Sequence, residues 1–174
     1  MSTDPLENAI FRETTTTFQL SSYPQDAQAL VRLIEQATSE LNIYSHILCP
    51  AIFNTAAVIE ACEKFCLKHH RTKINILVND SQAISRISHR LLGLSHKLSS
   101  SVFFKKISPD TPPRDDDFVC IDKSAYFQLP NHQHYNGICN FADAGHNAQF
   151  LSFFNDVWVH SEVDPELRSA LLWN

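Results

Sequence analysis

The residues best suited to chemistry form an acidic run, Asp115-Asp116-Asp117, which is followed by a further carboxylate at Asp122. A carboxylate can attack phosphorus, as in aspartyl-phosphate enzymes, but that chemistry recruits a magnesium ion and a positive group to offset the charge. The preceding Pro112-Pro113 pair supports a plainer alternative, in which the acidic run is a solvated loop that leads into a strand. Both interpretations depend on which elements position these side chains.

Histidines and cysteines supply the other candidates. His46 follows an apolar strand and should lie near its carboxyl end, where α/β sheets commonly place ligands, although hydrogen bonding to backbone is the alternative. Cys62 and Cys66 have the spacing of one helical face but also fall on its apolar stripe, so we expect them in the core. His132 and His134 could suit a metal or phosphate, but they fall in a loop that we expect to be exposed to solvent. We predict no metal site.

A local basic surface is predicted on the helix over residues 82–98. An anion or RNA could dock there, with Lys105 and Lys106 nearby, but no exposed aromatic residues are interleaved to form a stacking platform, and a solvated helix face is the alternative. The net charge of −5 also makes nucleic acid an unlikely partner. The residues of this basic surface are Arg86, His89, Arg90 and Lys97.

Composition favours one globular domain in a reducing compartment. The chain has 174 residues, of which 44% are hydrophobic and 19% are charged, and this is enough to bury a core. Five cysteines, an odd number scattered through apolar segments, indicate reduced thiols. The first dozen residues lack a signal-peptide core, and no later apolar run is long enough to cross a bilayer. We therefore expect a cytoplasmic protein with no membrane span.

Hydrophobic periodicity predicts an α/β fold with a mixed, largely parallel β-sheet flanked by helices. Residues 1–14 are polar and unpatterned, so we predict a flexible N-terminal arm followed by a single domain over 15–174. Asp26 is expected to cap the first helix. The predicted helices cover 26–41, 55–67, 82–98 and 148–158, and the predicted strands cover 15–20, 42–48, 74–78, 102–107, 118–121, 125–129 and 135–139.

This order of elements, together with the acidic segment, resembles one half of the phospholipase D-like superfamily over roughly residues 27–162. That family carries His-x-Lys, then four residues, then Asp, and later Gly-x-x-Asn. Here Asp115 stands at the position of the histidine and Asp117 at the position of the lysine. Asp122 matches the family aspartate, and Gly137 and Asn140 match the later motif after a longer gap than usual.

The resemblance implies the fold of one phospholipase D-like half without its usual reaction. In catalytic relatives one histidine attacks phosphorus, a second protonates the leaving oxygen, and lysines hold the phosphate. Carboxylates at both positions repel a phosphodiester, because two unit charges about 4 Å apart interact by about 4 kcal/mol at an effective dielectric of 20. A chain with one motif completes a site only by pairing with a second copy, so the resemblance also implies a homodimer.

The leading hypothesis is therefore a non-catalytic binding or regulatory module with no cofactor, whose partner is a protein or a small ligand. One alternative is a divalent-metal-dependent phosphoesterase that uses Asp115, Asp117 and Asp122. Another is a nucleic-acid-associated module that uses the basic helix face.

Overall fold

The structure, a computed structural model, describes residues 4–169. Short apolar runs rich in β-branched and aromatic residues form the strands of one sheet. The seven strands within the described residues are β1 (Phe18–Gln19), β2 (Glu40–Ser45), β3 (Lys73–Val78), β4 (Val102–Lys106), β5 (Asp117–Ile121), β6 (Ala125–Leu129) and β7 (Ile138–Asn140).

The strand order is β1-β7-β6-β5-β2-β3-β4. The prediction of a mixed α/β fold is confirmed, but the sheet is not largely parallel. Only the β2–β3 and β3–β4 pairs are parallel, whereas the other four neighbouring pairs are antiparallel. The physical reason lies in the connections: helices cross over between β2, β3 and β4, while short turns or loops join β5, β6 and β7 and return the chain antiparallel.

The helices begin at recognisable caps. Side chains of Ser22, Thr55, Asp80 and Asp143 each accept a hydrogen bond from a backbone N–H in the first helical turn. Within the described part of the chain the helices are α1 (Tyr23–Gln36), α2 (Pro50–Phe53), α3 (Ala56–Lys68), α4 (Ser81–Arg86), α5 (Arg90–Lys97), α6 (Ala144–His160) and α7 (Pro165–Ser169).

Three helix predictions need correction. The cap of α1 is Ser22, so Asp26 lies inside the first turn. The helix predicted over 82–98 is two helices, because the chain breaks at Ser88, where φ is 50°. His89 then caps α5 by accepting a hydrogen bond from the backbone N–H of Leu91. The predicted final helix starts earlier, at Ala144.

Helices cover both faces of the sheet. The larger core packs α1, α3 and α5 against one face and includes Cys62 and Cys66, which confirms their interpretation as core residues. On the other face, α6 buries Phe150 and Phe154 against Tyr44 and Phe118. All five cysteines are free thiols. No helix among residues 4–169 is long and apolar enough to span a bilayer.

The described part of the N-terminal segment packs on the domain, in contrast to the predicted flexible arm. Leu6 and Ala9 are buried in the larger core. The backbone N–H of Arg12 donates to the carbonyl of Phe141, and that of Phe11 donates to the side chain of Gln36. Polar composition conceals this packing because two small or medium apolar residues are enough to anchor a short segment.

Candidate functional site

The acidic run lies where β2 ends and β5 begins. Because these strands are antiparallel and Tyr44 pairs with Phe118, the first residue of β5, Asp117, lies beside the last residue of β2, Ser45. The β6–β7 loop, residues 130–137, reaches the same edge of the sheet. We call the side chains gathered there the candidate site; they are Ser45, His46, Arg114, Asp115, Asp116, Asp117 and His132.

Asp117 is buried and accepts three hydrogen bonds from the end of β2. The hydroxyl of Ser45 donates to Oδ2 at 2.6 Å, and the backbone N–H of His46 donates to Oδ1 at 3.0 Å. Nδ1 of His46 lies 2.6 Å from the same Oδ1. A carboxylate, which only accepts hydrogen bonds, fits this set of donors. At the position where the family carries lysine, this chain therefore has a carboxylate that is held by hydrogen bonds within the protein.

His46 faces an acceptor on each side of its ring. Nδ1 meets the Asp117 carboxylate, and Nε2 lies 2.8 Å from the carbonyl oxygen of Arg114. The carbonyl of Arg114 can only accept, so Nε2 carries a proton, and a second proton lies between Nδ1 and the Asp117 carboxylate. The hydrogen bond that the His46 ring donates to the Asp117 carboxylate raises the pKa of His46, against the lowering effect of burial. Both ring nitrogens are thus engaged in hydrogen bonds within the protein, and neither is free to act as nucleophile or metal ligand.

The ring of His132 stacks directly on the ring of His46. The two rings stack with their centroids 3.6 Å apart and their planes within 10°. The backbone N–H and Nδ1 of His132 both lie within hydrogen-bond distance of the Asp115 carbonyl, at 2.9 and 2.8 Å. His132 is therefore half-buried and fixed, which corrects the expectation of a solvent-exposed loop residue, whereas His134 is exposed as expected.

The neighbouring charges of the candidate site are also paired. Nε and Nη2 of Arg114 each lie 2.7 Å from the Asp116 carboxylate, which also accepts from Gln128. Burial opposes ionisation of Asp116, but these hydrogen bonds outweigh it and lower its pKa. Asp115 is exposed, and its carboxylate has no described partner within residues 4–169. The acidic run thus presents one unpaired carboxylate and no unpaired cation.

Asp122 lies at the opposite end of β5. Its carboxylate accepts from the backbone N–H groups of Thr38, Ser39 and Glu40 at 2.8 to 2.9 Å, and from the hydroxyls of Thr38 and Ser39. Burial opposes its ionisation, but the backbone hydrogen bonds outweigh this and lower its pKa. This family aspartate is therefore structural.

The same geometry contradicts the grouping of Asp115, Asp117 and Asp122 as ligands of one metal ion. Five residues of strand place Asp122 about 17 Å from Asp117, so Asp115, Asp117 and Asp122 do not share one ion. Within residues 4–169 no group of three His, Cys, Asp or Glu side chains is arranged to hold a metal.

Gly137 and Asn140 also act away from the candidate site. The Asn140 amide donates to the carbonyl of Thr15 and the hydroxyl of Thr17, and its oxygen accepts from Ala142. These bonds tie β7 to the chain that precedes β1. Gly137 packs against Asp26, where a Cβ atom would overlap the carboxylate.

Asp26 is the residue that sequence reasoning missed. It is 0% exposed, and neither carboxylate oxygen has a hydrogen-bond partner within the described residues. Burial raises its pKa to about 7, opposed only by the Gly137 backbone. Its spacing from Ala29, Leu30 and Leu33 places it on the buried face of α1, and that signal was available in the sequence.

The predicted basic surface is only partly present. His89 is buried: Nε2 contacts the carbonyl of Leu48 and Nδ1 accepts from Leu91, so it is not a surface residue. Burial lowers its pKa to about 4. Lys97 pairs with Glu63 at 2.6 Å. Arg86 and Arg90 are exposed, and no ion pair is described for them among residues 4–169.

The mixed seven-stranded sheet with helices on both faces is a phospholipase D-like fold. The structure is similar to NucT from Helicobacter pylori, with a TM-score of 0.55 and 13% identity over 86% of this chain and 98% of that one. It is also similar to phosphatidylserine synthase from Haemophilus influenzae, with a TM-score of 0.59 and 14% identity over 90% of this chain and 41% of that one. Both have the phospholipase D-like fold. The chain itself belongs to the family described as a domain of unknown function (DUF7931), which matches residues 23–170.

A third similar structure is TrmBL2, described as an archaeal chromatin protein with a novel mode of DNA binding. Its TM-score is 0.61, with 14% identity over 92% of this chain and 59% of that one. The chain thus spans 59% of TrmBL2 and 41% of the synthase, less than two thirds of either. Identities this low show the fold alone. No curated protein matches the chain.

Proposed function

We propose that this protein is a non-catalytic phospholipase D-like domain that acts as a binding or regulatory interaction module. The observation that carries the proposal is the ring of His46, whose two nitrogens are both engaged, Nδ1 with the Asp117 carboxylate and Nε2 with the Arg114 carbonyl. His46 therefore has no free ring nitrogen with which to attack phosphorus, and the motif position that carries histidine in the family is Asp115 here. Its five free thiols favour a reducing compartment, and we propose a cytoplasmic location, which cell fractionation would test.

The charges of the candidate site favour a cationic ligand over a phosphate. Arg114 is bonded to Asp116, His46 is bonded to Asp117, and Asp115 projects an unpaired carboxylate. A phosphate would meet this carboxylate without a free cation to hold it, whereas an ammonium or guanidinium group would be attracted. The proposed ligand is a basic group of a protein or small molecule.

Ligand class is testable by NMR titration of the His46 and His132 ring signals. We expect an acetylated tetralysine peptide to shift them and inorganic phosphate at equal concentration to leave them unchanged. Asp115→Asn should weaken the peptide effect, while Asp156→Asn, an exposed aspartate on α6, should not. Tighter binding of phosphate than of the peptide would contradict the proposal.

The absence of catalysis is tested directly. We expect purified protein to release no product from bis(4-nitrophenyl) phosphate, single-stranded DNA or phosphatidylcholine vesicles above the rate of buffer alone. Asp115→Ala and His46→Ala should behave identically to the wild type. Hydrolysis that is abolished by either substitution would overturn the proposal.

We further propose that the protein is a homodimer. The support is the similarity to a fold in which one motif per chain needs its mate, together with two exposed apolar side chains at the same edge, Ile47 and Tyr135. Light scattering at micromolar concentration should give twice the chain mass. A monomer under those conditions would refute this part.

A second candidate is a nucleic-acid-associated module. Exposed Arg86 and Arg90, and the similarity in fold to a DNA-binding chromatin protein, favour it. Binding through phosphate contacts weakens steeply as salt rises. Retention on heparin that does not change with salt, or that is unchanged in Arg86→Gln/Arg90→Gln, would exclude this candidate.

A further inference from the structure

Asp26 is a buried acid with no charged partner among the described residues. The carboxylate lies on the buried face of α1, is 0% exposed and accepts no hydrogen bond from residues 4–169. The backbone of Gly137 lies against it, and the Gly137 N–H donates to the carbonyl of Tyr135. A side chain at position 137 would overlap the carboxylate, so the fold brings these two residues into direct contact.

The groups around Asp26 are acids as well. Tyr23 lies on α1, Cys49 follows β2 and Cys139 lies on β7, and the charge of Asp26 contributes, after burial, to raising the pKa of all three. Among the described residues no lysine, arginine or histidine pairs with Asp26. An ionised carboxylate at this position therefore has no cation to stabilise it, and the folded contact favours the protonated acid.

The same contact anchors the β6–β7 loop. Gly137 ends the loop, Tyr135 packs edge-on against Tyr23 with ring centroids 5.8 Å apart, and His132 stacks on His46. The loop is thus held at one end by the first turn of α1 and at its middle by the candidate site. Loosening the first anchor would release the ring that covers His46.

We propose that the Asp26–Gly137 contact is a proton-dependent latch, in which protonated Asp26 keeps the β6–β7 loop closed over the His46–Asp117 pair and loss of that proton to solvent opens it. The inference rests on the proposed function in so far as the loop controls access to the binding residues. Closure dominates in acid, and opening increases towards neutral pH.

The sign follows from linkage. With the loop closed, burial raises the pKa of Asp26 to about 7, whereas an opened loop returns the carboxyl to water and to the ordinary value of 3.8. Between these two values the open state releases the proton and the closed state retains it. One linked proton increases the opening equilibrium about tenfold per pH unit, and the increase levels off above about pH 7.

Hydrogen exchange of the amides of residues 130–137, corrected for the intrinsic pH dependence of exchange, measures this opening. His132 is itself an ionisable side chain of this loop, so the measurement uses His132→Phe, which keeps an aromatic ring for the stack on His46 and has no ionisable group. In H132F we expect opening to rise about 30-fold from pH 5 to pH 6.5. In H132F/D26N the rise should disappear, and in H132F/D156N it should remain.

Two results would overturn the latch: no rise in H132F, or a rise that persists in H132F/D26N. Should the double variant not fold, carbon-13 titration of the Asp26 carboxyl in the wild-type protein decides, since a midpoint near 4 excludes the latch and one near 7 supports it. None of these measurements uses a ligand. A failed ligand titration and a failed latch are therefore distinguishable.

Discussion

The rings of His46 and His132 stack face to face with their centroids 3.6 Å apart, although one follows β2 and the other lies in the β6–β7 loop. Each ring also contacts a carbonyl of the segment that leads into β5, His46 that of Arg114 and His132 that of Asp115. Two imidazoles thus occupy the edge of the sheet where the family places its reactive histidine. Neither of them comes from the motif itself.

The ion pair between Asp117 and His46 should contribute more to the free energy of unfolding than the carboxylate of Asp115 does. Asp117→Asn would face the Ser45 hydroxyl and the His46 N–H groups with an amide that is itself partly a donor, and it would leave the half-buried His46 ring without its carboxylate partner. We expect a loss of about 3 kcal/mol in the free energy of unfolding, measured with urea at pH 7. Asp115→Asn should change it by less than about 0.5 kcal/mol. Equal effects would contradict the assigned pairing.

Asp122 should stabilise the fold without affecting the candidate site. Asp122→Ala leaves three backbone N–H groups before and at the start of β2 without their acceptor, and we expect a cost of at least about 3 kcal/mol by urea unfolding. Thr38→Val, which removes a single hydroxyl donor, should cost about 1 kcal/mol. The ring signals of His46 should remain unchanged in the folded fraction of Asp122→Ala. A shift of those signals would show that Asp122 also acts at the candidate site.

His89 should make the protein acid-sensitive. Because burial lowers its pKa to about 4, the unfolded chain takes up a proton on this residue near pH 6.5 while the folded chain does not, so stability falls as pH decreases between these values. Relative to His89→Gln, wild type should lose about 3 kcal/mol from pH 7 to pH 4. Asp26 contributes to the pH dependence of stability in the opposite direction, but this contribution is the same in both proteins and cancels when they are compared. Exposed His70→Gln serves as the control, and an equal change in that variant would refute the role of His89.

Gly137 lies in a crowded position and Gly93 in an open one, so substitution by alanine should change the free energy of unfolding in opposite directions. Gly137→Ala places a methyl group on the Asp26 carboxylate and should cost about 2 kcal/mol. Gly93→Ala, inside α5 with no atom near its new Cβ, should stabilise by about 0.5 to 1 kcal/mol. In a double-mutant cycle Asp26→Ala should relieve much of the cost at Gly137. Additive effects of the two substitutions would contradict the direct contact between Gly137 and Asp26.

Local pattern predicted most of the fold because it depends on side-chain periodicity. The apolar runs of β3 and β5 and the stripe of α3 were recognised at nearly their observed positions. The interruption at Ser88 was missed because the hydrophobic spacing continues across it, and only the left-handed backbone there separates α4 from α5. The antiparallel half of the sheet was underestimated because strand direction depends on how the chain returns, not on strand composition.

Sequence-based prediction was also only partly correct for the candidate site, as shown by Asp115, Asp117 and Asp122. Their spacing was sufficient to recognise the frame of the fold and the loss of its histidine and lysine. Their grouping as one metal site was wrong, since five residues of strand place Asp122 and Asp117 at opposite ends of β5. The strand over 118–121 is predicted from the sequence, and its length already implies that separation.

The sequence alone determined the element order, the phospholipase D-like resemblance and the substitution of carboxylates at two reactive positions, because these are properties of adjacent residues. Only the tertiary structure paired Asp117 with His46, 71 residues away, and stacked His132 on that ring. It also buried Asp26 without a partner. Protonation and reactivity follow from these contacts, since the charge of a side chain depends on the donors, acceptors and water around it, and folding alone brings those together.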